Sequence, residues 1–232
     1  MLKIEGITKL YDAKHGIKNI KLEAYEGDVI SFIGPNGAGK TTLVKCIAGL
    51  LYSQKGKISL NELDVLDRNC KRKIGYMEES LNFYYDMTIY ELLDFIYKIK
   101  YRSKNISEVD GLLNDFNLYS ERNRLVKLLS VGMKRKLSII IALLGSPQLV
   151  ILDEPTNGID TSGLMFLKRH IKLLSQRGSI IILTSHVLDF VESISKKCIF
   201  LDEGQIAKEI CAGELNLEEE YEKLYLLPPF SS

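Results

Sequence analysis

Charge of one sign, long apolar runs and closely spaced cysteines are all missing from this 232-residue chain, and each absence closes off a class of function. Lys plus Arg number 31 against 30 for Asp plus Glu, so no basic excess advertises a nucleic acid or an anionic membrane, and no nucleic-acid partner is expected. The longest apolar stretches, residues 137–145 and 180–183, fall far short of the roughly 20 residues that cross a bilayer, so no transmembrane helix is expected. The start, Met1-Leu2-Lys3-Ile4-Glu5, carries an acid where a secretory leader would be building its apolar core, and secretion is not indicated. Cys46, Cys70, Cys198 and Cys211 stand too far apart for Cys-x-x-Cys chemistry or a zinc site. Reduced, mostly buried thiols in the cytosol are the expectation. Internal repeats and low-complexity blocks are missing too.

What remains is an ordinary globular composition, 46% hydrophobic and 26% charged, long enough for one large domain or a core with a smaller insert. Residues 2–7 and 17–23 alternate in the two-residue period of a half-solvated, antiparallel sheet, whereas Val29–Ile33 is nearly continuous, as a parallel strand covered on both faces should be. Shorter strands are expected at 57–60 and 73–77. From about residue 80 to 128 the pattern turns helical, with Ile89, Leu92, Leu93, Ile96 and Ile99 on one stripe and Thr88 with Glu91 as a capping box. A second helix start lies at 107–110, and Ser130 opens a third helix that ends near Gly145-Ser146-Pro147. Strand 149–152, helix Thr161–Gln176, strand 179–183, helix 187–196 and two short strands around Asp202-Glu203-Gly204 follow. A short helix and frayed end close the chain at 214–232. The expected fold class is α/β: a mainly parallel sheet, an N-terminal antiparallel β subdomain and a small inserted α-helical subdomain at about 80–145.

The first stretch with explicit chemistry is Gly34-Pro35-Asn36-Gly37-Ala38-Gly39-Lys40-Thr41-Thr42, between an apolar strand and a helix expected at 41–51. It matches G-x-x-x-x-G-K-[ST], in which the glycines bring backbone N–H groups close to phosphate oxygens and the helix start adds its dipole. Lys40 is placed to reach β- and γ-phosphates and Thr41 to hold Mg²⁺. Ligands of open α/β sheets bind beyond the carboxyl ends of the strands, and two further ends carry polar groups: Asp153-Glu154 and His186. Asp153 is placed to hold Mg²⁺, Glu154 to orient or deprotonate an attacking water, and His186 to sense the γ-phosphate.

With these residues in order, the chain resembles an ATP-binding cassette ATPase, the nucleotide-binding subunit of ABC transporters, over about residues 1–212. Residues 213–232 form a tail outside the resemblance. It implies ATP and Mg²⁺ as cofactors, a P-loop core, and a head-to-tail dimer, homomeric by expectation. Each ATP then lies between the cradle of one subunit and a signature helix of the other. The resemblance makes Tyr11 the aromatic stacked on adenine, Leu129-Ser130-Val131-Gly132-Met133 the signature, with Ser130 and Gly132 as ATP ligands, Asn157-Gly158-Ile159-Asp160 the loop that crosses the dimer, and His186 the switch histidine. It implies polytopic membrane subunits as partners, a peripheral place on the cytoplasmic face of the cell membrane, and the exporter branch that handles antibiotics, bacteriocins, sodium or lipids. The aromatic group Leu81-Asn82-Phe83-Tyr84-Tyr85 falls where that family receives a cytoplasmic helix of the membrane subunit.

Two departures stand out. Val131 and Met133 replace a glycine and a glutamine of the usual Leu-Ser-Gly-Gly-Gln, which implies a looser ATP-bound dimer with slow turnover. Glu79 stands where the lid loop usually has glutamine, and an acid there can still bind Mg²⁺ or water. Two other readings remain at this point: a soluble cassette ATPase without a membrane partner, and a slow or non-hydrolysing regulatory subunit. The single cassette, with neither a charged linker nor a long coiled-coil insertion, argues against the first. Intact Lys40, Asp153, Glu154 and His186 argue against the second.

Overall fold

The computed structural model describes residues 1–12, 15–101, 107–211 and 216–226. In chain order, β1 (Leu2–Leu10) and β2 (Gly16–Ala24) lead to β3 (Val29–Ile33) and α1 (Lys40–Ile47). Then come β4 (Lys55–Leu60), β5 (Leu63–Asp64), the one-turn α2 (Arg68–Lys71) and β6 (Ile74–Met77). Helices α3 (Ile89–Tyr101) and α4 (Ser107–Asp115) and two 3₁₀ turns precede α5 (Val131–Leu143). The chain closes with β7 (Leu149–Asp153), α6 (Thr161–Gln176), β8 (Ile180–Thr184), α7 (Leu188–Ile194), β9 (Lys197–Asp202), β10 (Gln205–Cys211) and α8 (Leu217–Tyr225).

Period-two burial divides the core into two layers. Strands β3, β7 and β8 are buried along their whole length, and their side chains alternate between the faces of one sheet. Val29, Ile33, Val150, Leu152, Ile181 and Leu183 pack on the side of α3 to α7. Ile30, Phe32, Leu149, Ile151, Ile180 and Ile182 face α1 and the antiparallel sheet. The central sheet has the order β10-β9-β3-β8-β7-β6, with β9, β3, β8, β7 and β6 parallel and β10 antiparallel at one edge. The second sheet, β2-β1-β4-β5, is antiparallel, as the alternation at 2–7 and 17–23 predicts. The helix after β3 packs on one face and the helix after β7 on the other, which opens a crevice beyond the strand ends.

Local chemistry fixes the helix starts. Thr88 and Glu91 form the expected reciprocal box, Thr88 N–H donating to Glu91 Oε2 at 2.8 Å and Glu91 N–H to Thr88 Oγ1 at 3.2 Å. Asp160 caps α6 by accepting from Gly163 N–H at 2.8 Å. Helix α8 packs back on the core through Leu217 and through Tyr225, whose hydroxyl donates to Leu201 O at 2.8 Å. The frayed end expected after it and the boundary near residue 212 lie outside the described residues.

Several boundaries differ from the sequence expectation. Helix α1 stops at Ile47 rather than 51, because Gly49 takes φ 67° and its Cα approaches so closely that an added methyl would lie 2.3 Å from Val65 O. Residues 81–87 are not helical, so the helical stretch expected from residue 80 begins only at Ile89. The short β5 and α2 carry no periodicity long enough to read.

Gly75 joins the edge strand β6 to α5. A methyl added there would lie 1.8 Å from Ala142 O and 2.9 Å from Pro147 Cγ, so strand and helix meet backbone to backbone. Gly75→Ala is expected to destabilise the chain by about 2 kcal/mol or more through overpacking. The check is a lower urea midpoint at unchanged slope, measured beside an exposed control such as Gly111→Ala, whose added methyl meets nothing within 4 Å.

Candidate functional site

The loop from β3 to α1 is a phosphate cradle by geometry as well as by sequence. A methyl at Gly34 would lie 2.4 Å from Leu201 O, and one at Gly39, where φ is 100°, would lie 2.8 Å from Ile17 Cγ2. Only glycine lets the loop sit this close to β2 and β9. The loop is pinned further by Gly204 N–H donating to Ala38 O at 3.1 Å and Lys18 N–H to Gly204 O at 2.8 Å. Helix α1 has no side-chain cap at its start, so its first N–H groups remain available to an anion. Lys40 folds back and donates to Gly34 O at 2.6 Å and Pro35 O at 3.1 Å. Burial lowers its pKa, opposed by the negative charges of Glu154, Asp153 and Glu79.

The opposite wall comes from β7 and β8, whose register pairs Asp153 with Thr184. Asp153 is fully buried, and its Oδ1 accepts from Thr184 Oγ1 at 2.7 Å. The same hydroxyl accepts from Glu154 N–H at 2.9 Å, so one side chain fixes both acids. Burial raises the Asp153 pKa against the hydroxyls of Thr184 and Thr41, which lower it. Asp153 Oδ2 is buried without a hydrogen-bond partner. An acceptor-only carboxylate oxygen beside a threonine hydroxyl suits Mg²⁺, which takes one or two such protein oxygens and completes its shell with phosphate and water. Among the described residues no group of three or more His, Cys, Asp or Glu surrounds a metal position, so phosphates would have to supply the remaining ligands.

Glu154 is held in the left-handed region, φ 50°, and is almost wholly buried. His186 Nε2 lies 3.0 Å from Glu154 Oε1, and the His186 main-chain N–H also faces the carboxylate. Neither aligns as a hydrogen bond, and both carboxyl oxygens lack one. Burial pushes Glu154 up to about 7; Lys40 opposes this, while Asp153 and Glu79 add to it. The His186 pKa is lowered, first by burial and then by Lys40, against the negative charge of Glu79. A carboxylate of that pKa in a dry site can accept a proton from a water.

Between the walls lies a cleft of about 240 Å³ lined by Asn36, Gly37, Gly39, Lys40, Thr41 and Thr42 of the cradle, with Glu154 and His186 opposite. Tyr11, His15 and Glu79 complete its rim. Tyr11 is largely exposed and has Lys9 Nζ 5.8 Å from its ring centroid. Glu78 pairs with Lys45 of α1 at 2.8 Å, which leaves Glu79 as the lid acid that faces the cleft.

Ser130 and Gly132 do not line this cleft. Ser130 caps α5, accepting from Met133 N–H at 3.2 Å, and the adjoining Val131 is 65% exposed. Gly132 lies against Gly158 O, and Lys136 Nζ pairs with Asp160 at 2.9 Å, so the signature and the loop 157–160 share one surface. Thr184, Arg135 and His15 are site residues that sequence reading did not single out. Arg135 Nη1 donates to Glu79 O at 2.9 Å, tying α5 to the lid. Only register could have exposed Thr184, because its partners are 30 residues away in the chain.

A family model described as ABC transporter matches residues 17–157. The chain is 36% identical to the lantibiotic transport ATP-binding protein SrtF of Streptococcus pyogenes, over 94% of this chain and 95% of that protein. It is 34% identical to the bacitracin transport ATP-binding protein BcrA of Bacillus licheniformis, over 90% of this chain and 69% of that one. Among solved structures, an ATP-binding subunit of an ABC transporter is similar at TM-score 0.87 and 26% identity, covering 97% of this chain and 99% of that one. A dimeric ATP-binding cassette with ADP and Pi bound shares the fold at TM-score 0.81 and 24% identity, covering 93% and 100%.

Thr184→Val keeps the shape of the side chain but leaves Asp153 Oδ1 and Glu154 N–H without their partner. The expected loss is about 2 to 3 kcal/mol of stability, whereas Thr184→Ser loses less than about 1 kcal/mol. Urea denaturation of both variants reads the difference.

Proposed function

Because this chain belongs to the ABC transporter family as an ATP-binding subunit, an ATPase that uses ATP with Mg²⁺, we propose that it closes head to tail on a second copy around two ATP and drives separate membrane-spanning subunits. The single observation that carries the catalytic part is Glu154: buried, without a hydrogen bond at either carboxyl oxygen, its pKa pushed up to about 7, and opposite the cradle. In this reading the cradle N–H groups and Lys40 bind the phosphates, Lys40 exchanging the carbonyls of Gly34 and Pro35 for phosphate oxygens. Thr41 and Asp153 hold Mg²⁺, with Glu79 at the rim able to join through water. The ion, when bound, neutralises phosphate charge. Glu154 takes the proton of the attacking water, and His186, beside it, donates a hydrogen bond toward the γ-phosphate. Tyr11 stacks on the base at the open side of the cleft.

The dimer is supported by what the cleft lacks: Ser130 and Gly132 face elsewhere, so a second copy would bring them to the phosphates. Val131 projects from that same surface, which supports a looser closure and slow turnover. Residues 1–212 form the cassette in this reading, with the helical insert at about 80–145 and a short C-terminal helix and tail at 213–232. No helix among the described residues is long and apolar enough to cross a membrane, so passage of cargo falls to partner subunits, with this chain peripheral at the cytoplasmic face. The lantibiotic and bacitracin relatives favour export of amphiphilic antibiotic-type cargo. The groove beside Tyr84 is where a helix of the membrane subunit docks in this reading; Phe83 packs into the core and Tyr85 lies off the groove.

Glu154→Gln is expected to lower ATP hydrolysis by about 100-fold or more while ATP binding persists. Size-exclusion chromatography of that variant with Mg-ATP should show a dimer, and adding Val131→Gly should strengthen it. Undiminished hydrolysis by Glu154→Gln would remove the base assignment, and an unchanged dimer on adding Val131→Gly would remove the loose-closure reading.

A further inference from the structure

Thr41 and Lys45 stand one turn apart on α1, so both side chains leave the same face of the helix. Thr41 hydrogen-bonds to Asp153 in the cleft, and Lys45 reaches the lid, its Nζ lying 2.8 Å from Glu78 Oε1. The two side chains are 32% and 33% exposed, so the pair sits half in solvent. The hydrogen bond with Glu78 raises the Lys45 pKa, burial opposes it, and the charges of Glu78 and Asp153 add to the rise. Lys45 in turn lowers the Asp153 pKa. One ammonium is thus tied to the lid and felt by a buried acid of the cleft.

Glu78 and Glu79 follow β6 directly, in main chain that belongs to neither helix nor strand. Two side chains anchor this stretch, from helices on opposite faces of the central sheet. Lys45 holds the Glu78 carboxylate from α1, and Arg135 Nη1 donates to Glu79 O from α5 at 2.9 Å. Between these anchors the Glu79 side chain lines the cleft, and among the described residues it enters no ion pair. Its charge nevertheless acts on Lys40, Asp153, Glu154 and His186. An acid kept unpaired among such groups is what a water-mediated contact to a divalent ion requires.

We propose that Lys45 is a positioning residue for the metal: by holding Glu78 against α1 it fixes the lid so that Glu79 faces the water shell of Mg²⁺ beside Thr41 and Asp153. The proposal rests on the Mg²⁺ reading above and adds what aims Glu79. A half-exposed ion pair contributes little to folding stability, so this one acts as a local latch and the chain folds without it. Its sign makes it separable from plain electrostatics. A cation near the metal repels it, so removing Lys45 would tighten metal binding if charge alone mattered. Removing a latch loosens it.

The test titrates Mn²⁺, in place of Mg²⁺, into the full chain with a non-hydrolysable ATP analogue and reads bound metal from the loss of the free-ion EPR signal. Lys45→Gln should weaken Mn²⁺ binding about tenfold, as loss of an outer-shell partner does, and Lys45→Arg should restore it. Glu79→Gln should cost a similar factor alone and add less than about twofold in the Lys45→Gln background, because the two act through one contact. Urea midpoints should hardly move. Unchanged or tighter Mn²⁺ binding by Lys45→Gln overturns the proposal, as does Lys45→Arg binding no better than Lys45→Gln. Losses that multiply in the double variant also overturn it, since Lys45 would then act apart from Glu79. A lowered urea midpoint with unaltered Mn²⁺ binding makes the pair structural and overturns it too. Thr41→Ala separates the two levels. If it leaves Mn²⁺ binding intact, the Mg²⁺ reading fails and the proposal with it; if it weakens Mn²⁺ binding while Lys45→Gln does not, the proposal alone fails.

Discussion

Two carboxylates and one ammonium are buried together at the ends of β3, β7 and β8, and this imbalance governs the site. Asp153 and Glu154 lie almost out of solvent with three unsatisfied oxygens between them, and Lys40 is the nearby buried cation. A dry pocket does not hold such a charge set at rest without a proton or a cation. Burial raises the pKa of both acids, and the neighbouring negative charges raise it further. A polyphosphate alone would worsen the imbalance. A divalent ion arriving with it corrects the sign, which is why nucleotide and Mg²⁺ belong together in this cleft.

Thr184 makes the imbalance usable. Its hydroxyl donates to one oxygen of Asp153 and accepts from the main-chain N–H of Glu154, and the other three carboxyl oxygens of the two acids are left without a hydrogen bond. The site is preorganised by withholding partners, and the left-handed backbone at Glu154 supports the same placement.

Much of this was legible in the sequence where one residue type has one physical use. The β3 and α6 limits came directly from a two-face apolar run and from an apolar stripe that stops at Gly178. The cradle glycines could be read because nothing larger fits at Gly34 or Gly39. The capping pair Thr88 and Glu91 announced α3. What stayed hidden depended on distance in the chain. Thr184 acts across strands, and Arg135 donates to a carbonyl 56 residues earlier. The stretch 81–85 also shows how an irregular segment defeats periodicity. Its aromatics part company, Tyr84 to the groove, Phe83 to the core and Tyr85 beside Lys134.

The backbone contact of Gly75 with Ala142 gives this assembly its stiffness. Side chains between two elements act as springs, because rotamers can yield before the elements move. Here that layer is absent, so β6 and α5 are coupled almost without slack. The next residue along β6 is Tyr76 at the groove, and α5 carries Ser130 at its cap, Arg135 on the lid and Lys136 on the loop at 160. A load applied at the groove is thus in mechanical series with the dimer-facing surface and the rim of the nucleotide cleft.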